Sequence, residues 1–457
     1  MTRDHTRVAT KDECSLFHKT LSPKMAEIAA GAVVAEQVVS TTLEGSAIAG
    51  YAVAKPTVPL KATFSQIATA DKDDAALALA RSHHTVSIAN DKACIFGGQT
   101  TDGKLASNDI HTVTLPLKQT HETDIAYACY PAVPRDEGAA VPSARTRHAA
   151  CVQGHELAVF GGCDEKHAPV DQDSSLWIWN IESSKWHQVS SEGPKPRPRF
   201  DHKLFHYGGH ILLHGGRSSV ETELNDTWFF DMIAHTWTQL PDSPEHSESV
   251  AFADGTLYMI TNSPAEGITH VYRLEIGDSV PAPGSAHGLQ WQRITNSAEV
   301  PSSAGPGART GGSLIPVTTG YGRLYLVYFF GSREVHVDAE SPGKSVESSE
   351  APRPFESDLW TYQLPSKSTK PTSWTDFKPA AIKDTIRDKL GYKSGGYEWA
   401  EIEVQATEQS GHEGKVHPGP RGFFAADVAS DGRSVVMWGG DNARGEKEAD
   451  GWLIRFE

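Results

Sequence analysis

RFDHKLFHYGGHILLHGGRSSVETELNDTWFFDMIAHTWTQL, residues Arg199–Leu240, decides the fold. Apolar and aromatic residues recur here at period two, in short runs broken by Gly, Asn and Asp, which reads as four short β-segments joined by turns. The doublet Gly215-Gly216 closes the second segment, ILLH. Paired glycines at that point suit a strand end where backbones approach closely and φ must be positive. One such sheet cannot bury both of its faces alone, so it must stack on others like it.

The others are present. Gly97-Gly98 follows CIF, Gly161-Gly162 follows LAVF and Gly439-Gly440 follows VVMW. Upstream stand Arg81 and His84, Arg145 and His148, Arg199 and His202, each His 13 positions before its doublet. Downstream come alternating aromatics in SLWIWN (Ser175–Asn180), NDTWFFD (Asn225–Asp231) and SDLWTYQL (Ser357–Leu364). A Trp-led segment then closes each unit: WHQV at Trp186, WTQL at Trp237, WQRI at Trp291. A fixed internal period of this kind identifies a repeat architecture.

The ordered set resembles the kelch repeat, whose units each form one blade of a β-propeller. The resemblance runs from about residue 60 to the C-terminus and implies an all-β, six-bladed propeller. Blades are expected near 78–134, 142–190, 196–241, 244–295, 306–406 and 418–457. In blade 4, Ile260-Thr261-Asn262 replaces the glycine pair, and blade 5 has Gly331-Ser332. Blade 6 stops three strands in, and Phe64-Ser65-Gln66-Ile67 in the orphan strand Lys61–Ile67 matches the missing fourth. Segment 60–68 is therefore expected to complete blade 6, which removes exposed sheet edges.

Two insertions interrupt blade 5. Val335–Pro354 is rich in Ser, Glu and Pro and reads as a loop. Within the second, AAIKDTIRDKLG (Ala380–Gly391) spaces Ile382, Ile386 and Leu390 for a short amphipathic helix. Residues 1–55 form a tail whose small residues leave helix and mobile chain both open, and Met25 is a second possible start.

The formal net charge is −16, which disfavours nucleic acid as a partner. No charge-free apolar run reaches the length of a membrane-spanning helix. The five cysteines, Cys14, Cys94, Cys129, Cys151 and Cys163, form no CxxC pair and read as reduced thiols of a cytoplasmic protein.

Aligning first strands singles out Arg81, Arg145, Arg199, Arg309 and Arg421, with Glu245 at the blade 4 position. Propeller symmetry brings these six around the channel mouth. There the guanidiniums either hold an anion by paired hydrogen bonds or clamp the ring. His202, His206, His210 and His214 fall four apart, but straddle a hairpin turn and do not form a helical metal stripe.

Some kelch-like propellers are enzymes. Galactose oxidases use copper with a Tyr-Cys cross-link, for which no arrangement is seen. Plant specifier proteins carry Glu-x-x-x-Asp-x-x-x-His for iron. Glu334 and Asp338 reproduce its first half, position 342 is Pro, and His336 is the remaining neighbour that could substitute. No catalytic residue or cofactor is assigned. The expected role is a protein-interaction scaffold using channel-mouth loops and the blade 5 insertions, an acidic segment being one suitable partner. The alternative is a metal-assisted or acid–base enzyme acting on a small anion, similar to the specifier proteins.

Overall fold

The computed structural model describes residues 57–68, 78–116, 127–263, 268–277, 288–295, 305–319, 322–333, 355–365, 396–405 and 416–457. The tail 1–55, the Val335–Pro354 loop, the Ala380–Gly391 helix and the candidate ligands Glu334, His336 and Asp338 lie outside the described residues. The chain divides into two units, and the unit formed by Pro59–Gly320, Leu324–Leu364 and Tyr397–Glu457 carries nearly all that is described.

That unit is an all-β propeller of six antiparallel blades. Blade 1 pairs Thr85–Ala89, Lys92–Phe96, Ile110–Thr114 and Tyr127–Tyr130 in sequence order. Blade 2 uses Ala149–Gln153, Glu156–Phe160, Leu176–Asn180 and Lys185–Val189. Blade 3 uses Lys203–Tyr207, His210–Ser219, Thr222–Asp231 and Thr236–Leu240. Its middle strands are ten residues long, so its central hairpin runs well past the five-residue strands of blades 1 and 2. Blade 4 (Val250–Ala253, Thr256–Ser263, Ile268–Glu275, Gln292–Arg293) and blade 5 (Ser313–Thr318, Leu324–Phe329, Leu359–Gln363, Glu398–Glu401) repeat the order.

Blade 6 joins both ends of the propeller. Ala425–Val428, Ser434–Trp438 and Gly451–Phe456 are followed in the sheet by Lys61–Ala68, which pairs antiparallel with Gly451–Phe456. Phe64 is buried and meets Trp452 edge-on at 6.4 Å. Glu403–Gln405 adds a fifth strand, parallel to Lys61–Ala68.

The core lies between blades. Leu176, Ile178 and Phe160 of blade 2 pack against Ile211, Leu213, Phe230 and Trp237 of blade 3, and the same pairing of apolar faces recurs around the ring. Period-two alternation gives each strand two apolar faces, and each face is covered by a neighbouring blade.

The doublets explain themselves at these junctions. Gly161 has φ of 60°, and a Cβ there would lie 2.4 Å from the Arg199 carbonyl oxygen and 2.8 Å from the His202 ring of blade 3. Gly97 meets Arg145 and His148 of blade 2 in the same way, and Gly439 meets Arg81 and His84 of blade 1. The second glycine of a doublet packs on its own blade: a Cβ on Gly98 would meet the Ser82 carbonyl and His84.

Two registers differ from the sequence expectation. In blade 5 the doublet positions are Phe330 and Gly331, not Gly331 and Ser332. Their φ values are 57° and 79°, and Arg309 donates to the Phe330 carbonyl as other arginines do to the first glycine. In blade 4 the first hairpin pairs four residues where blade 1 pairs five. That places Ser249 opposite Ile260 in the histidine's position and His246 in the arginine's, in place of Glu245.

Candidate functional site: the channel and its doublet-side rim

The first strands of all six blades surround a channel of about 540 Å³. Its wall includes His84, His148 and His202 at the doublet side, and Cys151, Phe205, Phe252, Ile315 and Asp427 deeper in. The last five occupy the same register place, the third residue of their strands.

Just before the first strands runs a ring of main-chain hydrogen bonds. Phe423 donates its N–H to the Gly311 carbonyl (2.8 Å), His83 to Phe423 (2.9 Å), Arg147 to His83 (3.0 Å) and Asp201 to Arg147 (2.9 Å). All five residues have positive φ, between 53° and 70°. The first strands of blades 6, 1 and 2 thus begin from strained turns held by both neighbours, and blades 5 and 3 end the series.

The five arginines singled out in the sequence sit inside the blades rather than on the channel wall. Arg145, Arg199 and Arg421 are fully buried; Arg81 and Arg309 are nearly so. Arg199 donates to the Gly215 carbonyl (2.8 Å) and forks onto both oxygens of Asp226 (2.6 and 2.8 Å). Arg309 repeats this on Phe330 (3.1 Å) and Asp358 (2.6 and 2.8 Å), and Arg421 on Gly439 (3.1 Å) and Asp450 (2.7 Å). Arg145 binds the Gly161 carbonyl and Asp171. Meanwhile the Arg145 carbonyl accepts the Gly98 N–H of the preceding blade (2.9 Å), and Arg199, Arg421 and Arg81 do likewise for Gly162, Gly331 and Gly440. The side chain braces its own blade while the main chain ties it to the one before.

Arg81 departs from the series. Its guanidinium meets the Gly97 carbonyl (3.1 Å), the Ala78 carbonyl and the His111 ring (3.2 Å), and among the described residues no carboxylate is in hydrogen-bond contact with it. Burial lowers its pKa to about 10, and lowers that of His111 to about 4 with Arg81 assisting. Glu245 accepts the Tyr272 hydroxyl (2.9 Å) at the edge of blade 4.

The histidines preceding the first strands are held neutral. Burial, then the adjacent arginine, pulls His148 down to about 3 and His84 and His202 well below the ordinary value. His206, His210 and His214 lie on the two strands of one hairpin and His202 just before it, so the four do not converge. Among the described residues no group of three His, Cys, Asp or Glu side chains could hold a metal ion.

Charge gathers on the rim where blades 3 and 4 meet. Arg147 pairs with Asp201 at 3.1 Å and lies over the Phe200 ring. Burial raises the carboxyls of Asp201 and Glu248; Asp201 raises Glu248 further, and Lys203, Arg217 and His246 oppose both shifts. Above this rim the long blade 3 hairpin ends at Val220, which is 59% exposed. No sequence signal marked this corner beyond the loss of the blade 4 arginine.

These features define the chain as a closed β-propeller built from arginine-braced, glycine-doublet blades. It is similar to the kelch-repeat propellers: the KLHDC2/KLHL20/DRC7 Kelch-repeats domain matches residues 83–305. Tip elongation aberrant protein 1 of Schizosaccharomyces pombe is 30% identical over 165 residues, 36% of this chain and 13% of that protein. Kelch domain-containing protein 3 of Homo sapiens is 25% identical over 167 residues, 35% of this chain and 41% of that protein. The matches thus span well under half the length of these relatives. A solved structure titled Structure of YjhT is 13% identical and covers 82% of this chain and 97% of its own, with a TM-score of 0.45.

Proposed function

We propose that this propeller is a protein-interaction scaffold that takes its partner on the doublet side, through the channel-mouth loops and the blade 5 insertions. The observation that carries the reading is the corner between blades 3 and 4. A rim of half-buried charges there lies beneath a projecting hairpin with an apolar tip, and charged rims around apolar anchors are how protein interfaces are built. Arg147, Lys203 and Arg217 suit an acidic segment of a partner. One relative, Dynein regulatory complex subunit 7 of Chlamydomonas reinhardtii, is named as part of an assembly, which accords with a scaffold. We place the protein in the cytoplasm, where Cys94, Cys129, Cys151 and Cys163 stay as the free thiols they are here. No helix among the described residues is long and apolar enough to cross a membrane.

The test is quantitative affinity purification from the native cell, comparing the wild type with Val220→Asp and Arg217→Glu. A partner recovered in stoichiometric amount with the wild type, and lost with the variants at unchanged Tm, is expected. Equal recovery from all three would remove the corner from the interface. Stoichiometric iron or copper in the purified wild type would favour an enzyme instead.

A further inference from the structure

The channel interior is divided into unlike halves. In the third-residue layer of the first strands, blades 3, 4 and 5 present Phe205, Phe252 and Ile315, while blades 2 and 6 present Cys151 and Asp427. The rings of Phe205 and Phe252 lie 6.1 Å apart. An apolar, partly aromatic sector facing a few placed polar groups, in a volume of about 540 Å³, suits a small molecule with one apolar and one charged end.

Asp427 is the group that such a pocket would use. Its two oxygens accept the backbone N–H groups of Ile88 (2.8 Å) and Val428 (2.8 Å), and it forms no ion pair among the described residues. Burial raises its carboxyl against these two hydrogen bonds, and its charge in turn helps burial keep the thiols of Cys94 and Cys151 protonated. Of the other titratable side chains on the channel wall, His84, His148, His202 and His206 are shifted toward the neutral form by burial, and Lys203 of blade 3 acts on Asp201 and Glu248 at the rim. A buried carboxylate with no ion-pair partner in contact is costly, and a cation entering the channel beside it relieves the cost.

We propose that the channel binds a small organic cation, a primary ammonium on an apolar or aryl stem, with the ammonium at Asp427 and the stem against Phe205 and Phe252. The carboxylate supplies a charge-assisted hydrogen bond, and the phenyl faces supply apolar area and cation–π attraction. Burial raises the Asp427 carboxyl to about 6, so it is ionised at neutral pH and lost as an anion below that.

The test uses the full chain and phenethylammonium as the probe, with 3-phenylpropionate as the matched anion, titrated by calorimetry. Saturable one-to-one binding of the ammonium and none of the propionate is expected, with at least about tenfold weakening in Phe252→Ala and in Asp427→Asn. Bound probe also slows the reaction of the Cys151 thiolate with methyl methanethiosulfonate, which forms a mixed disulfide and releases methanesulfinate. Should Asp427→Asn fail to fold, the wild type decides alone. Between about pH 7.5 and about pH 5 its affinity falls about tenfold, following ionisation of a group near 6. No saturation by about 10 mM overturns the assignment. So do equal binding of ammonium and propionate, a folded Asp427→Asn of unchanged affinity, or a lysine peptide that binds where the free amine does not.

Discussion

The Phe330 ring of blade 5 meets the Phe424 ring of blade 6 at 5.8 Å, where the regular junctions set a glycine against a histidine. Phe424 stands three residues after Arg421, as His84, His148 and His202 stand after their arginines. Both departures fall at one junction, and together they exchange a tight Gly–His contact for an aromatic pair reinforced by Phe329 at 5.4 Å from Phe424. Aromatic contacts of this kind contribute about 0.5–1.5 kcal/mol beyond area burial. Phe330 keeps the glycine-like φ of 57° and bears the strain of it.

The glycine contacts set an order of sensitivity. Gly161→Ala adds an alanine at φ 60° and drives its methyl into the Arg199 carbonyl. Strain of about 1–2 kcal/mol and a clash of about 1–3 kcal/mol are expected together. Gly215→Ala, whose Cβ would meet a single oxygen at 3.3 Å, bears the φ strain with little clash. Urea denaturation of the two variants should rank them in that order; the reverse order contradicts the junction packing described above.

Arg421→Ala strips a partner from Asp450, an ion pair in which both side chains are buried. Losses of that type are about 3–5 kcal/mol. Arg81→Met removes a buried guanidinium that has no carboxylate contact among the described residues, and orphans no anion among them. We expect Arg81→Met to lower Tm far less than Arg421→Ala, and to raise the pKa of His111, which NMR titration reads directly. Equal Tm losses would show that the carboxylates are not what the arginines serve.

Acid should unfold the propeller early. His148 and His214 titrate near 3 in the fold and near 6.5 unfolded, both through burial first, and His84 and His202 are lowered as well. Folded pKa values below the unfolded ones mean the unfolded chain takes up protons first. Stability is therefore full above about pH 6.5 and falls below it, by about 1.4 kcal/mol per pH unit for each such histidine. Asp427 works the other way: its raised pKa makes the fold bind a proton between about 6 and 3.8. The histidines outnumber it. The urea midpoint should drop steadily from about pH 7 to about pH 5, and a flat or rising midpoint would falsify this account.

Phe64→Ala should destabilise the ring by about 3–5 kcal/mol, the usual result of emptying a buried phenyl site. Deletion of residues 57–68 removes the fourth strand of blade 6 and the pairing with Gly451–Phe456. Size-exclusion chromatography should then show self-association through the bared edge. A monomer with wild-type Tm would mean the strand contributes nothing.

The parts of the fold that collide are the parts that can be read. Gly97, Gly161 and Gly439 are legible because the next blade leaves no room for a Cβ, and the Arg-x-x-His triplets because they make that contact. Phe330 is not legible, since its place follows from a backbone angle and from the Arg309 bond to its carbonyl. In blade 4 a hairpin one pair shorter shifts the count, so a fixed offset finds Glu245 where the strand register finds His246. Asp427 carries no signal at all: in the sequence it is one polar residue on a short strand, and only ring closure shows that it lines the channel with no ion pair among the described residues. Repeats reveal what every blade shares, and the channel chemistry lies in what a single blade does alone.

The pairing of Lys61–Ala68 with Gly451–Phe456 joins residues such as Ser65 and Arg455, 390 positions apart. During synthesis the earlier strand must therefore wait, with its partner edge open, while all the intervening blades emerge. Contacts of such separation form slowly and leave nascent chains exposed to misassembly. A circular permutant that begins at Thr69 and ends at Ala68 would make that closure local and spare the first strand its wait.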